Sequence, residues 1–144
     1  MKLESFKTDP KLEREGVWVQ FGDAKLHIAR INNPDHQAAF AARLRPYRGT
    51  TVPEGKQREI MLETMVDHIL LGWEGIEFGG KPLPYSRENA LMALQISDFA
   101  DQVVALARDH ENFQAQQAKE AAEIIAKNSP GGTSGGSTSS GSNS

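Results

Sequence analysis

Residues 16–31 read GVWVQFGDAKLHIARI, two alternating segments on either side of Gly22-Asp23. Glycine followed by aspartate suits a two-residue type II′ turn, a connection whose backbone twist matches that of paired strands. With that turn Phe21 stands opposite Ala24, Val19 opposite Leu26 and Val17 opposite Ile28, all on one face. The other face pairs Gln20 with Lys25 and Trp18 with His27. A slip by one residue would mix the two sets, so the pattern itself specifies the register. The hairpin predicted over 17–31 cannot stand alone, because an isolated pair of strands is marginal in water. Its apolar face must be covered by helices or by another copy of the chain.

Helices are predicted on its C-terminal side. Asn33-Pro34 supplies an N-cap and a first-turn proline, and an Ala-rich run carrying Phe40 and Leu44 continues to Pro46, giving a helix over 34–45. A second helix is expected over 54–71, with Leu62, Met65, Val66, Ile69 and Leu70 as its apolar stripe and Gly72 as its C′ residue. The next stretch, GWEGIEFGGKPLPYSREN over 72–89, turns at Gly79-Gly80, and Pro82 and Pro84 hold it extended. An irregular hairpin fits it better than a helix, with Trp73 folded over the preceding stripe. Ser86 caps a third helix over 87–95. Ser97 with Asp98 starts a fourth over 98–127, with Phe99, Val103, Leu106, Ala107 and His110 on one side. The last stretch, 129–144, is SPGGTSGGSTSSGSNS, with no charge and no large apolar side chain. It cannot offset an ordering cost of ~1–2 kcal/mol per residue and is expected to be disordered. The expected fold is mainly α with a small N-terminal β-hairpin, an α+β domain over 1–128 followed by a Gly/Ser tail.

Composition excludes several chemistries. The 144 residues carry a formal net charge of −3 and no cysteine, which removes disulfides, thiolate catalysis and cysteine metal sites. No window approaches the roughly 18 consecutive apolar residues of a membrane span. The charged N-terminus, broken by Pro10, lacks the apolar run that a secretion signal is expected to carry. Histidines 27, 36, 68 and 110 form no HxH or HExxH pattern. No GxSxG, GxGxxG or Walker motif is present. An enzyme is not expected, nor a cofactor or metal. Arg43, Arg45 and Arg48, with Arg30 nearby, are the one feature a nucleic-acid reading could use, against an acidic total. Trp18 falls on the polar face of the hairpin, where a tryptophan suits a contact surface.

The order of segments resembles a known family. GVWVQFGDAKLHIARINNP, an Ala-rich helix, LLGWEGIEFGGKPLPYSRENA and a helix ending near DHENF together resemble the tail assembly chaperones of long-tailed, siphovirus-type bacteriophages. The residues that carry the match are Gly72, Trp73, Gly75, Pro84, Tyr85, Ser86 and Asn89. The resemblance implies a non-enzymatic protein of the host cell cytoplasm, not expected in the mature virion. Such a protein coats the tape measure protein and helps bring tail tube subunits to it. It also implies a longer frameshift product that engages the tail tube protein, with this chain as the short product. Self-association is expected, because one small domain covers little of a long client and many weak contacts must add. Nucleic acid and membrane are not expected partners. Trp18, Phe40, Met61, Met65, Ile76 and Phe78 are the candidate residues for the client or self-association surface. Two other readings stay open: a structural tail protein retained in the virion, and a small nucleic-acid-binding accessory protein.

Overall fold

The computed structural model describes residues 1–115 and 123–126. The predicted tail, 129–144, lies outside the described residues. The described residues form helices and small antiparallel sheets, an α+β fold. A 310 turn, Leu3–Phe6, precedes α1 (Pro10–Glu15). Strands β1 (Val17–Phe21) and β2 (Ala24–Ile28) form the hairpin. Then come α2 (Pro34–Leu44), α3 (Glu54–His68), β3 (Leu70–Glu74), the two-residue strands β4 (Glu77–Phe78) and β5 (Lys81–Pro82), α4 (Arg87–Leu94) and α5 (Ser97–Arg108).

The hairpin has the register that its alternation requires, from Val17 opposite Ile28 to Phe21 opposite Ala24. Gly22 takes φ +62° while Asp23 keeps a negative φ, the combination of a type II′ rather than a type I′ turn. The strand ends at Ile28, short of the predicted 31. Helices do cover its apolar face: Val17, Val19, Leu26 and Ile28 are buried with Leu62, Met65 and Val66 of α3, Ala90 and Leu94 of α4, and Val103 and Ala107 of α5.

Two boundaries differ from expectation, for the same physical reason. The second helix stops at His68, not 71, and Leu70–Glu74 forms a third strand antiparallel to β2, with a bulge where Leu71 is passed over. Gly72 is therefore a strand residue and caps no helix. The last carbonyls of α3 find distant partners instead: Asn33 Nδ2 donates to His68 O at 3.3 Å and Ala29 N to Ile69 O at 2.8 Å. Likewise the fourth helix does not run from 98 to 127. It ends at Arg108, and a 310 turn, His110–Phe113, follows. Ile31 N donates to Ala107 O and Asn112 Nδ2 to Leu106 O, which satisfies the open carbonyls of α5 without further turns. Phe113 is then fully buried in the core instead of lying on an exposed helix. Residues 115 and 123–126 are helical, and the rest of the predicted extension lies outside the described residues.

The N-terminal helix α1 was not anticipated, although Asp9-Pro10 repeats the signal of Asn33-Pro34. Asp9 Oδ1 accepts from Lys11 N at 2.9 Å, as Asn33 Oδ1 accepts from Asp35 N and His36 N. Ser86 caps α4 as expected, accepting from Asn89 N at 3.0 Å. Ser97 does not cap α5, whose N-cap is Ile96 with no side-chain hydrogen bond.

A candidate protein-docking groove

Between β3 and α4 each conspicuous residue of the 72–89 stretch holds backbone in place. Trp73 is buried, and its Nε1 donates to Leu83 O at 2.8 Å. Leu83 N donates to Ile76 O at 2.8 Å, which closes the base of the β4–β5 hairpin that turns at Gly79-Gly80. Tyr85 OH donates to Leu70 O at 2.7 Å, and Asn89 Nδ2 to Pro84 O at 2.9 Å. Gly75, at φ +83°, brings the chain so near the β1–β2 turn that a Cβ there would sit 3.3 Å from Ala24 Cα and Asp23 O. An L side chain at that φ is strained as well as crowded.

This arrangement leaves a groove of about 600 Å³ between the β1–β2 turn, the start of the β4–β5 hairpin and the junction of α4 with α5. Its apolar walls are Phe21, Ile76, Phe78, Leu83, Met92, Ile96 and Phe99. Edge-on ring contacts join the groove to the core: Tyr85 with Trp73 at 5.2 Å, Trp73 with Phe99 at 6.5 Å, and Phe99 with Phe21 at 6.3 Å. The outer part faces solvent, with Phe78 57% and Ile96 50% exposed. Among the described residues that line the groove two are ionisable, Asp23 and Glu77, and both are acids.

The sequence-predicted contact residues do not share one surface. Ile76 and Phe78 meet in the groove. Met65 is only 2% exposed and belongs to the core, so it presents nothing to a partner. It lies on the α3 stripe that covers the sheet, and a Met at helical spacing reads alike in core and contact surface. Met61 is exposed on α3. Trp18, on the opposite face of the hairpin, stacks on His27 at 4.9 Å and 11°. Phe40 is partly buried beside His36. Phe21, Leu83, Met92, Ile96 and Phe99 were not singled out as contact residues. The available signals were Phe21 at a hairpin tip and the Met92/Ile96 pair one turn apart near the end of α4.

The remaining polar clusters have structural partners. Arg43 bridges Glu63 at 2.5 Å and Asp67 at 3.1 Å, and Arg87 grips the same Asp67 at 2.8 Å. The Arg87 hydrogen bond, opposed by burial, holds the Asp67 carboxyl below its ordinary value. Arg30 packs over the Phe113 ring at 5.5 Å and lies 4.0 Å from Glu13. Two of the four arginines that a nucleic-acid reading needs are thus committed within the fold. Burial lowers the pKa of His27, against a raising contact from Glu15 O. Burial, and secondarily the charge of His68, lowers that of His36. Among the described residues no group of three His, Cys, Asp or Glu could hold a metal ion, and no single helix is long and apolar enough to cross a membrane.

A family model described as YdaY prophage protein matches residues 31–123, well over half of the chain. The match takes in α2 to α5 and the β4–β5 hairpin beside the groove, and leaves out the β1–β2 turn, which also lines it. No curated protein and no solved structure matches the chain.

Proposed function

The chain belongs to the YdaY prophage protein family, and on that premise we propose that this phage-associated protein is a tail assembly chaperone. In this reading it binds and solubilises the tape measure protein in the host cytoplasm and helps recruit tail tube subunits, without catalysing a reaction. The observation that carries the reading is the open apolar groove, which leaves Phe78, Met92 and Ile96 in solvent at one place. Contiguous apolar surface of this kind marks a site of protein interaction. The ordered motif from Gly72 to Asn89 adds support, since its residues build one wall of that groove.

The mechanism needs only mass action. A chaperone that binds apolar stretches of a long helical client removes them from self-association. Each groove takes one short stretch, so a long client holds many copies, and contacts between copies add by avidity. Met92 beside aromatic walls lets one groove accept varied apolar side chains. Individual contacts stay weak enough for the coat to leave as the tube polymerises.

The test is co-expression with the tape measure protein encoded by the same phage. The soluble fraction of the tape measure protein is expected to rise, and the two proteins to purify together. Solubility no better than with an unrelated soluble partner refutes the proposal. Mass spectrometry of purified virions is expected to find the chain far below the copy number of tail proteins.

A further inference from the structure

We infer that the occupant of the groove is an amphipathic helix whose apolar face is bordered by lysine or arginine. The inference rests on the reading of the groove as the client-binding surface. The apolar half of the argument comes from shape. A hollow of about 600 Å³, open along one side and lined by Phe21, Ile76, Phe78, Met92, Ile96 and Phe99, accepts several side chains at once. A helix presents such a set at i, i+3, i+4 and i+7.

The charged half comes from Asp23 and Glu77. Both line the groove, Asp23 on the β1–β2 turn and Glu77 on β4. Neither carboxylate makes an ion pair or side-chain hydrogen bond among the described residues. Among the described residues no lysine or arginine lines the groove. An apolar groove whose ionisable lining residues, among those described, are both acids complements a helix with cations beside its apolar stripe. Acidic flanks would instead meet like charge.

The probes are three fluorescein-labelled amphipathic peptides with the same leucine face and flanks of Lys, Gln or Glu, titrated by anisotropy against the full chain. In about 0.1 M salt the Lys peptide is expected to bind about tenfold more tightly than the Glu peptide, the effect of two surface ion pairs gained and two repulsions avoided. The difference should shrink as salt rises, because exposed charges are screened beyond roughly a Debye length. Asp23→Lys with Glu77→Lys is expected to invert the order. Phe78→Ser with Ile96→Ser is expected to weaken all three peptides at least tenfold. Both of its positions are exposed, and serine is a better N-cap than Ile96 for α5.

Equal affinity for the Lys and Glu peptides overturns the inference, as does an order that the charge reversal leaves unchanged. The wild-type comparison alone suffices to refute it if a variant does not fold. The two levels fail separately. Peptide discrimination without solubilisation of the tape measure protein refutes the chaperone reading and leaves the groove chemistry standing. Solubilisation that the charge-reversed chain performs equally well does the opposite.

Discussion

Phe113 decides whether the chain after α5 turns back into the core, and Phe113→Ala measures this. In the structure its side chain is fully buried, the Arg30 guanidinium lies 5.5 Å from its ring, and its carbonyl accepts from Asp9 N at 2.8 Å. The substitution leaves the backbone bond and removes the ring. Transfer and cavity terms for such a truncation come to ~3–5 kcal/mol, and the lost cation contact adds up to ~1 kcal/mol because Arg30 is largely buried. For a domain of this size 1 kcal/mol corresponds to about 3–5 °C, so the melting temperature should fall by roughly 10–30 °C. The assay is thermal unfolding by circular dichroism, beside Phe78→Ala as an exposed control expected to change stability by less than ~0.5 kcal/mol. A loss for Phe113→Ala no larger than the control's would refute the turn. It would show instead a ring standing in solvent on a helix continued past Arg108.

Other predictions concern the groove and the response to pH. Gly75→Ala is expected to cost about 1–3 kcal/mol in urea denaturation, since alanine must adopt φ +83° with its Cβ 3.3 Å from the β1–β2 turn; a neutral outcome would place that turn elsewhere. His27 and His36 have folded pKa values below the ordinary 6.5. The unfolded chain therefore binds protons first, and stability that is full above pH ~6.5 should decline as pH falls below it. His36 adds a local reason: its Nδ1 accepts from Asn32 N and cannot do so once protonated. Melting temperatures from pH 8 to 5 check this, and His27→Gln with His36→Gln should flatten the slope. Asp67, held low by Arg87, contributes stability that is full above the unfolded carboxylate value of ~3.9 and is lost as pH falls through the lower folded value. Asp67→Asn should accordingly make the decline between about pH 4 and 2 shallower.

Local patterns in this chain were legible wherever neighbouring residues alone determine the conformation. The β1–β2 register follows from alternation and one Gly-Asp turn, and the caps at Asn33 and Ser86 follow from a side chain reaching an amide two or three residues on. The ends of α3 and α5 were not legible. Their carbonyls are satisfied by Asn33, Ala29 and Ile31 from distant parts of the chain, and by Asn112 in a turn that the helical pattern did not announce. Leu70, Leu71 and Trp73 are as apolar in a strand as in a helix, and only pairing with β2 decides between them. The groove was half visible. Ile76 and Phe78 stood out in an irregular stretch, but Phe21, Met92, Ile96 and Phe99 come from three other segments that meet only in the folded chain.

The proposed chaperone role requires the tape measure protein to bind in the groove beside Phe78. The most direct measurement replaces Phe78, exposed at the groove's outer wall, with the photo-crosslinker p-benzoylphenylalanine and irradiates cells that co-express the tape measure protein. Mass spectrometry is expected to find crosslinks from position 78 to apolar faces of predicted helices of the tape measure protein, and to find them reduced when Ile96→Ser is added. Crosslinks from position 78 that never reach the tape measure protein, while the same crosslinker at Trp18 on the opposite face does so, would contradict the claim.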